Sequence, residues 1–159
     1  MAPLFEFEVF FKDEYEPMVR ALTLALGNRG AAEDAAQEAF SRALDRWSRV
    51  GMMERPAAWV YVVALRHERR QVRRLRHPMD SAGSEQVDEA AALVDRLDLT
   101  DMLDRLTARQ RRAVVLRYHA DLSLSEVAAA FGCRVGTVKA TLHQALGILR
   151  ISSTEEDRQ

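Results

Sequence analysis

The sequence predicts an all-α protein: two small helical domains joined by a flexible acidic linker, with a helix-turn-helix at the C-terminal end. Three observations carry this. Apolar residues recur at three- and four-residue steps through nearly the whole chain. Gly (7) and Pro (4) are too few among 159 residues for a sheet-and-turn fold, while a hydrophobic share of 48% is ample for a core. The segment 79–92, MDSAGSEQVDEAAA, breaks the pattern with Ser, Gly and acid but no basic residue. The expected organisation is a first domain over 1–78, a linker over 79–92, a second domain over 93–151 and a short polar tail over 152–159.

The first helix is expected from Asp13 to Leu26, with Met18, Leu22, Ala25 and Leu26 on one stripe and Pro17 tolerated near its start. Gly27 to Gly30 ends it. A second helix, Ala31 to about Val50, buries Ala36, Phe40, Ala43, Leu44 and Trp47. Glu33 and Asp34 are equally well explained as first-turn complements of the helix dipole. Gln37 and Glu38 lie deeper and have no such explanation.

Val50 to Arg55 reads as a loop, and Pro56 suits the first turn of a third helix running to about Arg76. Its first half, Trp59 to Leu65, is apolar on all sides and demands cover. Its second half carries Arg66, Arg69, Arg70, Arg73, Arg74 and Arg76 on about half the circumference, with Glu68 and Leu75 opposite. Such a run can be a solvated face, but six arginines within eleven residues repel one another, and a polyanion would relieve that cost. His77-Pro78 stops the helix.

After the linker, Leu93, Val94, Leu97, Met102, Leu103 and Leu106 form a stripe. Thr107 with Gln110 is a capping box opening a helix to about His119, which buries Ala113, Val114 and Leu116 with Tyr118 at the edge. Ser123 with Glu126 is a second capping box. It opens a helix that turns Val127, Ala128 and Phe131 inward and ends at Gly132, where a left-handed residue is cheapest. In the next helix Val135, Val138, Leu142, Ala145, Ile148 and Leu149 face inward, leaving Arg134, Thr137, Lys139, Thr141, His143 and Gln144 outward. No acid occurs from Gly132 to Arg150, and these outward groups are donors suited to base edges and phosphates.

The net charge of −1 hides a segregation. Residues 1–78 carry 13 basic and 11 acidic side chains and 98–150 carry 8 and 5, whereas 79–97 carry 1 and 5. A single cysteine, Cys133, excludes a disulfide framework and a multi-thiolate zinc site. The four histidines lack ligand spacing, and no Gly-rich phosphate loop, G-x-S-x-G or H-E-x-x-H motif occurs, so neither a metal nor a cofactor nor an enzymatic role is expected. No segment has the make-up of a signal peptide or the length of a membrane span, and a cytoplasmic protein without membrane insertion is expected.

Three pieces together carry a family resemblance: Ala31-Ala32-Glu33-Asp34-Ala35-Ala36-Gln37-Glu38-Ala39-Phe40, Arg55-Pro56-Ala57-Ala58-Trp59-Val60-Tyr61, and Leu106 to Arg111 running on through Gly132 to Lys139. In this order and spacing the chain resembles the bacterial sigma factors of RNA polymerase, of the small extracytoplasmic-function class that keeps regions 2 and 4. The resemblance implies that Asp34, Gln37, Glu38 and Phe40 bind the clamp helices of the polymerase β′ subunit. It further implies that the loop at Val50 and Met52 approaches the minus-ten element and helps hold a flipped base, with Arg66, Arg69, Arg70, Arg73 and Arg74 along the phosphates. Arg134, Thr137, Lys139, Thr141, His143 and Gln144 would then face the minus-thirty-five element. Core RNA polymerase (β′ clamp helices, β flap) and promoter DNA are the implied partners, with a dedicated anti-sigma factor left open.

The chain departs from the family pattern at Arg66 and Arg70, where Asn and Asp are usual, and at Arg134, Ala140, Thr141 and Gln144 in the hairpin. Its base preference therefore cannot be carried over. Two other readings stand beside the sigma factor: a stand-alone helix-turn-helix regulator of duplex DNA, and a degenerate sigma-like protein that acts by sequestering a protein partner.

Overall fold

The computed structural model describes residues 2–75 and 93–156, with side chains from 4 to 75 and 99 to 150. The expected linker 79–92 and residues 157–159 lie outside the described residues. Among the described residues the chain is helical, with no strand.

Helix α1 spans Ala2–Leu26, eleven residues longer at its start than periodicity suggests. Its leading segment is held by aromatic packing rather than by a stripe: Phe7 meets the Trp47 ring edge-on at 5.3 Å, and Phe10 lies 5.7 Å from Phe40. Pro17 consequently sits inside the helix, where it costs on the order of 3 kcal/mol. Burial of Phe7, Met18, Val19 and Leu22, each contributing about 1.5–3 kcal/mol, offsets this.

Helix α2 (Arg29–Asp45) starts at Asn28, whose side-chain oxygen accepts the Ala31 N–H at 2.9 Å. Glu33 and Asp34 thus lie beyond the first turn, and the dipole explanation for them lapses. The expected continuous helix to Val50 breaks at Arg46, and a short helix α3 (Trp47–Val50) follows. Ala32, Ala35, Ala36, Ala39 and Ala43 are all buried, forming an underside narrow enough for α1 and α4 to approach closely. Leu44, expected inside, is 43% exposed.

Helix α4 (Pro56–Leu75) packs Val60, Tyr61, Ala64 and Leu65 into the core. Burial, with the Glu14 carboxylate nearby, pushes the Tyr61 phenol up to about 12, so it stays neutral across the physiological range. Glu68, expected on the side opposite the arginines, points inward and is 8% exposed; Leu75, expected on that same side, is 78% exposed.

In the second half, α5 (Leu93–Asp104) buries Leu103, and Leu106 follows it inside. The side chains of Leu93, Val94 and Leu97 lie outside the described residues. Helix α6 (Ala108–Val114) opens on the Thr107–Gln110 capping box and passes into a π-helical turn, Val115–His119, that leaves Tyr118 exposed rather than at the core edge. Helix α7 (Leu124–Phe131) carries the Ser123–Glu126 capping box and ends at Gly132 with φ +66°. Helix α8 (Val135–Glu156) runs past the expected start of the polar tail.

The two halves pack together. One core joins Met18, Leu22, Val60 and Ala64 to Ala113, Leu116, Leu122, Val127, Val138 and Leu142, and α4 lies against α7. A smaller cluster of Ala25, Leu103, Leu106, Val115 and Ala145 closes the far side.

Candidate nucleic-acid interface

The outer face of α8 is built by the two turns before it. The Ser123–Glu126 box fixes the start of α7, with Glu126 N–H to Ser123 Oγ at 3.1 Å and Ser123 N–H to the Glu126 carboxylate at 2.7 Å. At the other end the Cys133 N–H reaches the Ala128 carbonyl at 3.1 Å, tightening the turn into α8. Val138, Leu142 and Ala145 then anchor α8 on the body, and Arg134, Thr137, Lys139, His143 and Gln144 are exposed. Thr141 is a correction: only 9% exposed, it lies beside the buried stripe, and its hydroxyl donates to the Thr137 carbonyl at 2.9 Å. Ala140 is exposed instead and widens the acid-free face.

The α3–α4 loop and α4 form a second surface. Met52 is 87% exposed at its tip, whereas Val50 is fully buried, because the apolar core claims its side chain. Gly51 is required by close approach, since a Cβ there would stand 2.8 Å from the Trp47 ring. Arg70, Arg73 and Arg74 are exposed. Arg66 and Arg69 instead turn onto α7: Arg66 Nε donates to the Ala129 carbonyl at 3.2 Å, and Arg69 Nη1 to the Phe131 carbonyl at 2.5 Å. Guanidinium groups at the last carbonyls of a helix complement its negative end. Arg55 extends the same seam, donating to the Glu126 carboxylate and to the Asp121 carbonyl, both at 2.6 Å.

The third surface is the outer face of α2. Asp34 and Gln37 are exposed, and Glu38 accepts from Arg42 Nε at 2.8 Å while staying open to solvent. Phe40 is 2% exposed, so its ring belongs to the aromatic cluster under the helix and not to this face. Leu44 and Ser41 share the arc with Asp34 and Gln37 at helical spacing. Leu44 is one residue that periodicity misassigned; its spacing of three from Ser41 and seven from Gln37 was the signal that would have placed it outside. Among the described residues no cluster of His, Cys, Asp or Glu could hold a metal.

Residues 11–77 match the model of Sigma-70 region 2, and residues 96–149 that of Sigma-70 region 4. The sigma-E factor of Streptomyces coelicolor is 32% identical over 154 residues, covering 94% of this chain and 87% of that protein. The extracytoplasmic-function sigma factor SigL of Mycobacterium tuberculosis is 33% identical over 153 residues, 90% of this chain and 86% of that one. The chain belongs to the extracytoplasmic-function sigma factors. As a sigma factor it serves transcription initiation, and the all-α fold agrees. Its fold is similar to the sigma factor RpoE solved with the anti-sigma factor NepR from Bartonella quintana, with TM-score 0.65, 21% identity and coverage of 91% and 94% of the two chains. It is also similar to CnrH solved with the cytosolic domain of CnrY, with TM-score 0.64, 19% identity and coverage of 94% and 88%. No described helix of this sigma factor is long and apolar enough to cross a membrane.

Proposed function

We propose that this sigma factor is a non-enzymatic adaptor, acting in the cytoplasm, that grips core RNA polymerase through α2 and reads two promoter elements through α4 and α8. Asp34, Gln37, Glu38 and Leu44 form the polymerase-binding face, a carboxylate-rich arc with one apolar anchor. Met52 and Arg70, Arg73 and Arg74 serve the minus-ten element, the arginines along phosphates and Met52 against an unstacked base. Lys139, His143 and Gln144, with Arg134 and Thr137, face the minus-thirty-five element in the major groove.

The observation that carries this reading is the exposed face of α8 from Arg134 to Gln144, free of acid, on a hairpin with region-4 sequence that follows a region-2 half. The test is in-vitro transcription with core enzyme over a library of random upstream sequences. Enrichment of one two-part promoter supports the reading. Binding of duplex DNA without core polymerase would favour a stand-alone regulator, and core binding without promoter selection would favour a sequestering role.

A further inference from the structure

The indole of Trp47 carries a buried donor that nothing in the fold uses. Among the described residues three buried side-chain atoms lack a hydrogen-bond partner: Trp47 Nε1, Glu68 Oε2 and Arg112 Nε. The last two belong to one ion pair, with Arg112 Nη1 3.2 Å from Glu68 Oε2, so opposite charge compensates them. Trp47 Nε1 has no such compensation, although the residue is only 9% exposed. A donor taken out of water without an acceptor destabilises a fold, and an apolar ring would fill the same site without that cost.

The seat of the ring shows where an acceptor can come from. Phe7 and Phe10 flank it with centroids 5.3 and 5.0 Å away, and aromatic faces are weak acceptors. Cε2, the atom bonded to Nε1, underlies Gly51: a Cβ there would stand 2.8 Å from Cε2 and 3.1 Å from Cζ2. The N–H therefore lies at the foot of the Gly51–Met53 loop. That loop's backbone is tied down, Gly51 N–H to the Trp47 carbonyl at 2.8 Å and Met53 N–H to the Val50 carbonyl at 3.0 Å. Met52, exposed, and Met53, half-buried, are by contrast unbranched thioethers that change rotamer at little cost.

Resting on the function proposed above, we propose that Trp47 is a specificity-determining residue of the minus-ten site: the methionine side chains move aside and the indole N–H donates to a ring-nitrogen or carbonyl acceptor of the unstacked base. All four bases carry acceptors, but in different places, so a donor fixed by its ring selects the base whose acceptor falls opposite it. Any other base leaves the donor orphaned, which is how a buried polar group discriminates.

Transcription with core enzyme over the promoter library, using wild type and a protein with Trp47 replaced by 3-benzothienylalanine, tests this. The analogue keeps the ring and puts sulfur where the N–H stands. Preference at one minus-ten position should fall about tenfold, the discrimination of one base contact, while preference at the upstream element and affinity for core enzyme stay as in wild type. The unfolding temperature should hold or rise, since the orphaned donor is gone. Should the analogue protein fail to bind core enzyme, wild-type holoenzyme decides: a single-stranded minus-ten oligonucleotide carrying a nonpolar isostere of the selected base should bind about tenfold more weakly than the natural one. Preference unaltered by the analogue, preference lost evenly at every minus-ten position, or an isostere bound as tightly as the natural base would each overturn the proposal. Wild type without preference at any minus-ten position sinks the proposed function and this inference with it, whereas a wild-type preference that the analogue retains sinks this inference alone.

Discussion

The Arg69 guanidinium lies so close to Gly132 that a Cβ on this glycine would stand 2.7 Å from Nη1. Gly132 is therefore fixed twice, by its left-handed backbone and by the arginine that crosses it.

Gly132→Ala should destabilise the protein by about 1–2 kcal/mol from the backbone alone, with a further loss from displacing Arg69. Thermal unfolding of Gly132→Ala, Arg69→Ala and the double variant checks this. The double variant should lose less than the two single losses together, because removing Arg69 relieves the clash.

Glu38→Arg should abolish binding to core polymerase while leaving circular dichroism unchanged. The Glu38–Arg42 pair is an exposed i,i+4 ion pair worth about 0.3–0.5 kcal/mol, so its loss cannot unfold α2. Pull-down with core enzyme measures the effect, and retained binding would remove Glu38 from the interface.

Arg70, Arg73 and Arg74 are exposed, so replacing all three with Ala should act on DNA and not on stability. The logarithmic salt dependence of promoter-complex formation should flatten, by about 0.7–0.9 for each phosphate that no longer meets a guanidinium. A slope identical to wild type would take these arginines off the DNA track.

Lys139→Ala should weaken protection of the upstream element in footprinting and leave polymerase affinity untouched. Its side chain is exposed, so a loss of both activities would mark α8 as a structural helix instead.

Helix identities were legible where one physical signal dominated. The two capping boxes and Gly132 fixed α6, α7 and the turn into α8 from local chemistry alone, and the stripe of Val138, Leu142 and Ala145 oriented the last helix. The start of α1 was not legible, since Leu4, Phe5, Phe7, Val9, Phe10 and Phe11 are apolar on too many sides to show a period, and Phe40 and Trp47 choose between them only in three dimensions. Phe40 and Val50 illustrate a second limit: a residue in a motif segment can serve that segment from below, with its side chain in the core. The pairing of Glu68 with Arg112, and the diversion of Arg66 and Arg69 onto carbonyls far along the chain, depend on the packing of one half against the other, which no local pattern encodes.

The alanine-lined underside of α2 makes that helix lopsided in what it can tolerate. Its outer arc is exposed and free to vary, whereas one added methyl at Ala36 or Ala39 would push α1 or α4 off α2 and tilt every outward group together. Variation along this helix should therefore be confined to one side, where a change of surface chemistry leaves the scaffold beneath undisturbed.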